Sequence, residues 1–192
     1  MLDSVLKNLI RVGIVSSASP EACTARVAFG DRSSIVSYDL PVLVRGALQN
    51  KDYWLPDPGE QVVCLFLPSG NAQGFILGSL YSAKDAPPVS SRDKRHIKFS
   101  DGTTVEYDRG THTMSIDAKG PINIIATGPV NLTSDGIVEI TASGVTVNAD
   151  LTINGEAVVT GDATAGGISL KTHVHSGVTT GSGNTGAPVG GA

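Results

Sequence analysis

Residues 119–147 read KGPINIIATGPVNLTSDGIVEITASGVTV, and the reading of this stretch decides the fold. Gly120, Gly128, Gly136 and Gly144 recur every eight residues, with Gly102 and Gly110 preceding them. Between the glycines stand apolar pairs at i and i+2: Ile122/Ile124, Val130/Leu132, Val138/Ile140 and Val145/Val147. Strand residues two apart share a face, so each pair marks one buried side of a short strand. The spacing extends back to Val105/Tyr107 and Met114/Ile116 and forward to Leu151/Ile153. Pro121 and Pro129 follow two of the glycines, as expected where strands are punctuated by turns.

A repeat of eight residues is too short for a helical solenoid and too regular for an ordinary sandwich. One such chain exposes both strand edges and has too little apolar area to bury alone. Composition points the same way. Phe29, Tyr38, Tyr53, Trp54, Phe66, Phe75, Tyr81, Phe99 and Tyr107 are all the aromatics, and none lies between Asp108 and Ala192. Each aromatic can bury about 150–250 Å², so a strand-rich half without them needs another way to cover its Val, Ile and Leu. Three chains wound around one axis would pair every short strand with neighbours from the other chains. Small aliphatics would fill the narrow centre, where a ring is too wide. The expected fold is therefore all-β, with an intertwined trimeric, triple-stranded β-helix as a shaft over residues 97–170. The competing arrangement is a single-chain β-solenoid, whose turns run to about 20 residues or more.

Upstream the pattern changes. Short apolar runs at Val12–Ser16, Thr24–Phe29, Ser34–Leu40, Gln61–Leu67 and Gly74–Leu80 alternate with the turn signals Gly30-Asp31, Pro56-Asp57-Pro58-Gly59 and Pro68-Ser69-Gly70-Asn71. Five such strands suit a small barrel, the OB-fold, over residues 12–82. Ahead of it, Leu2, Val5, Leu6, Leu9 and Ile10 have helical spacing behind a capping Asp3 or Ser4, which predicts a helix over residues 1–11. Its stripe would dock either on its own domain or on another chain. Residues 83–96 are polar with a Pro-Pro pair and read as a linker, in which Arg92-Asp93-Lys94-Arg95 is a solvated charged face.

Charge limits the partners. Residues 1–95 carry ten Lys/Arg against nine Asp/Glu, whereas residues 101–170 carry nine acids against Arg109 and Lys119. An acidic shaft repels nucleic acid and anionic headgroups, and the balanced barrel lacks the basic aromatic groove of an oligonucleotide-binding OB-fold. No run of about 18 apolar residues marks a membrane-spanning helix. The start has neither the basic leader nor the apolar core of a signal peptide, which predicts synthesis in a cytoplasm without secretion. Cys23 and Cys64 read as reduced, semi-buried small hydrophobes.

One motif carries chemistry. Lys171-Thr-His173-Val-His175-Ser176 follows the repeats within a Gly/Ser/Thr-rich tail, and residues 171–192 read as an apex. In extended backbone His173 and His175 point to the same side. In a monomer they would pass for two solvated loop histidines. If three chains meet on an axis, six imidazoles face one point. That set suits an octahedral Fe(II), Co(II) or Ni(II) rather than tetrahedral structural zinc. Such an ion would stiffen the thin end of a shaft, where a hydrophobic core shrinks to nothing, and its binding would add folding free energy there. His96, expected to open the first strand after the linker, and His112, beside a turn, read as surface residues. Acidic residues scattered along the shaft could ring the axis and hold calcium, although solvated charges explain them as well. No Ser/His/Asp arrangement, phosphate loop or paired carboxylates appear, so no enzyme is expected.

The order of features resembles the phage baseplate assembly protein V family, the central spikes of contractile-tailed phages. The matching pieces are Arg11-Val-Gly-Ile-Val15, Trp54-x-Pro-x-Pro58-Gly59-Glu60-Gln61-Val62 and Gly78-Ser-Leu-Tyr81-Ser82. They continue with Ile97-Lys-Phe-Ser-Asp101-Gly102-Thr-Thr-Val-Glu106-Tyr107, the Gly/Val repeats and Thr172-His173-Val-His175. The resemblance implies a homotrimer whose OB-fold collar joins the tail hub and baseplate. It also implies a β-helical shaft and one iron ion at the apex, held by His173 and His175 of each chain. Such a spike sits in the virion tail, is assembled in the host cytoplasm and is driven through the host outer membrane on contraction. Rival readings are a trimeric receptor-binding fibre or adhesin, which would end in a larger aromatic knob, and an effector-carrying tip of a contractile secretion system. An enzyme on a β-helix would need aromatic rings to stack a sugar, and the repeats from Asp108 onward have none.

Overall fold

A computed structural model describes residues 8–30, 35–68, 73–177, 179 and 181 of the chain. The helix expected over residues 1–11 falls mostly on residues 1–7, outside the described residues. Residues 8 and 9 are helical, and Ile10 already opens the first strand. The elements are all β, in two compact units divided between Thr127 and Gly128.

The first unit begins with β1 (Ile10–Ser19), β2 (Thr24–Phe29), β3 (Ile35–Val36), β4 (Leu40–Pro41), β5 (Gln61–Phe66) and β6 (Gly74–Ser79). They form one antiparallel sheet in the order β3-β2-β1-β5-β6, with β4 also on β2. The chain leaving β4 then meets the far edge. Val42 bridges Ile76 in parallel, and the Leu43 N–H donates to the Ile76 carbonyl at 2.9 Å. The ring of pairings β2-β1-β5-β6-β4-β2 therefore closes on itself, leaving few free edges. Alternation sends Ala25, Val27 and Phe29 of β2 inward against Val15, Leu40, Val42, Val62, Cys64 and Ile76, all 7% exposed or less. Phe29 packs edge-on against Phe66 with ring centroids 5.7 Å apart, and the Arg11 guanidinium lies 3.8 Å above the Phe29 ring. The wall is tight at Gly13. A Cβ there would sit 2.5 Å from Val27 Cγ1 and 2.7 Å from the Ala28 carbonyl oxygen.

The single strand expected at Ser34–Leu40 is two short ones, and Ser37 is the reason (Ser34 lies outside the described residues). Its hydroxyl accepts the Val27 N–H at 2.9 Å and donates to the Tyr38 carbonyl at 2.7 Å. The register on β2 slips by one residue between the pairs Ala28–Val36 and Ala25–Leu40, a local bulge. Arg26 and Asp39 pair across it at 2.9 Å.

Next come β7 (Lys94–Lys98), β8 (Thr104–Asp108) and β9 (Thr113–Asp117), an antiparallel meander. Two expectations change here. The last three residues of the expected linker, Lys94 to His96, lie in a strand, and these first strands of the expected shaft pair within one chain. Local turns explain both. Asp101 accepts from the Thr103 N–H at 2.8 Å and Oγ1 at 2.9 Å, and Gly102 adopts a φ of 90° that its lack of a Cβ allows. Asp108 accepts the Gly110 N–H at 2.8 Å in the next turn. One meander face carries Ile97, Tyr107, Met114 and Ile116, each between 39% and 65% exposed. The other carries Lys94, His96, Glu106 and Asp108.

From residue 118 to residue 163 no strand forms and no backbone-to-backbone hydrogen bond closes within residues 118–162. Ile122, Ile124, Val130, Leu132, Val138, Ile140, Val145 and Val147 are between 52% and 77% exposed. Pairing resumes in the second unit, where β10 (Thr164–Ala165) and β11 (Ile168–Ser169) form a hairpin.

Candidate metal centre

The hairpin ahead of the histidines is a consequence of its glycines. Gly166 and Gly167 have φ of 57° and 83°, the geometry of a type I′ turn that matches strand twist and that side chains disfavour. Thr164 pairs with Ser169, Ala165 pairs with Ile168, and the Leu170 N–H reaches the Ala163 carbonyl at 2.8 Å. The chain then makes one helical turn. The Ser169 hydroxyl accepts the Thr172 N–H at 3.0 Å and the Thr172 Oγ1 hydroxyl at 2.9 Å, and the Ser169 carbonyl accepts the His173 N–H at 3.1 Å. Asp162 closes the base by accepting the Lys171 N–H at 3.1 Å. The Ser169 hydroxyl, followed by the Lys171 N–H, holds the Asp162 carboxyl below its ordinary range.

This turn fixes one imidazole. His173 Nδ1 lies 3.0 Å from the Ser169 carbonyl oxygen and 3.2 Å from that of Leu170. A carbonyl oxygen only accepts, so Nδ1 carries the proton and Nε2 of the neutral ring presents a free lone pair. His175 follows with its ring centroid 5.1 Å from that of His173 and the planes 81° apart. The structure thus places the two sequence-predicted residues side by side, and the tie at Nδ1 leaves Nε2 as the donor nitrogen of His173. A single chain supplies two nitrogen donors. Among the described residues no group of three or more His, Cys, Asp or Glu gathers within one chain, so calcium along the shaft would also need donors from several chains.

The other histidines differ from expectation in part. His96 is no surface residue: its side chain is 11% exposed and Nδ1 lies 2.8 Å from Glu106 Oε2. Lys94 Nζ sits 2.7 Å from Glu106 Oε1, so the basic cluster is partly ion-paired rather than solvated. Hydrogen bonds from Lys94 first, then His96, hold Glu106 below the usual carboxylate range. His112 is at a turn, with φ of 55°. Both cysteines are free, Cys64 buried and Cys23 half-buried, in line with their reading as reduced small hydrophobes. Asp162 and Ser169 escaped the sequence reading, although Gly166-Gly167 between Ala165 and Ile168 is a hairpin signal and Ser169-x-x-Thr172 a capping one.

A sequence-family model described as the GpV Apex motif matches residues 167–189, the turn and both histidines included. The chain is also 31% identical over 115 residues to the spike protein of Escherichia phage P2. The chain is thus similar to a phage spike protein. The alignment takes in 60% of this chain and 53% of the P2 protein, so the chain spans about half the length of that spike relative. The matched apex motif takes in both histidines and begins at the second turn glycine, Gly167.

Proposed function

We propose that the chain is the structural central spike of a contractile tail: a homotrimer whose tip pierces the host outer membrane when the tail contracts. The observation that carries this reading is the stretch from residue 118 to residue 163, with exposed apolar pairs and no pairing of its own. Eight aliphatic side chains left in water are worth about 1.5–3 kcal/mol each on burial, and only other chains can bury them here. Three copies interwound as a triple-stranded β-helix would do so and would pair the open strand edges. The glycines support it. Gly120, Gly128 and Gly144 have no atom within 4 Å of a built Cβ, and none of the three has a positive φ. Nothing within one chain demands glycine there, whereas close approach of a neighbouring chain does.

In this reading the closed barrel is an OB-fold collar that joins the tail hub. The meander's apolar face and the repeats form the shaft, and His173 and His175 from three chains hold one iron ion at the apex. The donor set fits: neutral imidazoles with free Nε2 atoms, six per trimer, suit an octahedral divalent ion. When bound, the ion cross-links three chains where there is no core left to hold them. The protein acts in the virion tail after assembly in the host cytoplasm, and it catalyses nothing.

Elemental analysis of the purified protein, with its mass in solution, tests both parts. A stable trimer with about one iron per three chains is expected from the six-nitrogen set. A metal-free trimer would remove the apex assignment and keep the spike architecture. A well-folded monomer would sink the spike reading.

A further inference from the structure

We propose that Asp162 is a positioning residue for the His173 imidazole, acting through the turn from Ser169 to His173. The inference rests on the reading of His173 and His175 as metal ligands and adds what aims one of them. Hydrogen bonds tie Asp162 to this turn and tie the turn to the ring. The Asp162 carboxylate accepts the Lys171 N–H, inside the turn, at 3.1 Å. The Ser169 hydroxyl is the acceptor for Thr172 N–H and Oγ1, at 3.0 and 2.9 Å. The Ser169 carbonyl is in turn the acceptor for the His173 N–H and Nδ1–H, at 3.1 and 3.0 Å. Ser169 is thus the node of the turn: its hydroxyl caps Thr172 and its main chain sets the ring, while Asp162 ties the same turn at Lys171.

The geometry explains why a carboxylate stands at this place. The turn from Ser169 to His173 is a single helical turn, too short to hold itself, since a nucleus fixes several dihedral angles for one hydrogen bond. Asp162 ties that turn to the strand on the other side of the hairpin, whose Gly166-Gly167 corner brings residue 162 beside residues 169 and 171. With the ring held through Nδ1, Nε2 keeps one direction before any ion arrives, and less ordering entropy is lost on binding. Asp162 lies outside the residues that the apex motif matches, 167–189. Among the described residues His175 has only its edge contact with His173, so the brace acts on one ligand of each pair.

The test uses the full-length protein loaded with Fe(II) and challenged with a graded chelator, with retained iron measured per trimer. Loss of an outer-shell partner lowers metal affinity by about 10–100-fold. Asp162→Ala is expected to release iron at a correspondingly lower chelator concentration. Asp162→Asn keeps an oxygen that accepts the Lys171 N–H and is expected to stay close to the parent. Ser169→Ala removes the hydroxyl that caps Thr172 and is expected to lower iron retention in the same direction, because both variants loosen one turn. The thermal midpoint of the metal-free shaft is expected to be unchanged in all of them. Asp162→Ala holding iron like the parent, while His173→Ala/His175→Ala loses it, would overturn the positioning role and leave the ligands in place. Equal losses in Asp162→Asn and Asp162→Ala would overturn it too, since the acceptor oxygen is then irrelevant. Iron retained by the double histidine variant would instead overturn the ligand reading beneath it.

Discussion

Ile124 and Ile125 are neighbours in sequence and offer a sharp test of the shaft. In one chain they are 77% and 93% exposed, so truncation of either to Ala should change stability by no more than about 0.5 kcal/mol. The trimer predicts otherwise. Ile124 shares its face with Ile122, whereas Ile125 points to the opposite side with Asn123. If the Ile122/Ile124 face lines a close-packed axis, Ile124→Ala removes a core side chain at a cost of about 2–5 kcal/mol per chain. Three symmetric copies raise this to roughly 6–15 kcal/mol per trimer, less whatever the three adjoining sites relax together. Ile125→Ala should remain near neutral. Interwound chains unfold slowly, so the assay compares unfolding rates in concentrated guanidinium, followed by far-UV circular dichroism, with sedimentation to establish that each variant starts as a trimer. Ile124→Ala should unfold orders of magnitude faster than the parent while Ile125→Ala tracks it. Equal, small effects at both positions in a stable trimer would refute the buried axial face.

Three further outcomes follow from the same structure. Glu106 has its carboxyl lowered by Lys94 and then His96, so its contribution is present above the unfolded carboxylate range, about pH 4.3, and is lost as pH falls through the folded value. Glu106→Gln should therefore flatten the acid limb of the stability profile, measured as denaturation midpoint against pH. Burial pushes the Cys64 thiol up to about 11, so the stability of its neutral form is present below the ordinary thiol value and declines as pH rises towards 11. Cys64→Val should lessen the alkaline loss, and native Cys64 should resist a thiol reagent that labels Cys23. Gly13→Ala should cost about 1–3 kcal/mol by overpacking the barrel wall, read from the fluorescence of the chain's one tryptophan, Trp54, which reports the barrel half alone.

What was legible in the sequence is what local physics decides. β2 runs over Thr24–Phe29 as the alternation of apolar residues predicts, and β5 and β6 differ by one residue at their ends. Alternation and Gly/Pro turns are written within a few residues of where they act. The His-x-His pair is legible for the same reason. Ser37 was not, because its effect is a side-chain hydroxyl taking a ladder bond from Val27, ten residues away, and serine carries no sign of which backbone group it will meet. His96 and Glu106 are likewise ten residues apart and meet only through the register His96–Glu106 on β7 and β8. Until that register is known, both look like ordinary surface charges. Asp162 belongs to the same class, its role set by a hairpin that brings Ser169 and Lys171 beside it.

In an interwound trimer the regular repeat would raise a problem that a metal at the apex would solve. With Gly120, Gly128, Gly136 and Gly144 evenly spaced, three chains could pair in register or slipped by eight residues and bury similar apolar pairs. A strand pattern that repeats specifies its register weakly. The features that do not repeat are at the ends: the meander with its ion pairs before residue 118, and the His173/His175 turn after residue 163. A metal needs all its donors at one point, so a chain slipped by eight residues contributes none, and the in-register trimer alone gains the binding free energy. His173→Ala/His175→Ala should then keep a trimeric shaft with an unchanged circular dichroism spectrum, lose its metal, and become open to proteolysis near residues 171–177. Adding the metal to the parent during refolding should raise the yield of protease-resistant tips, and adding it to the double variant should not. If the variant's tip resists protease as the parent's does, the metal neither orders the apex nor selects the register.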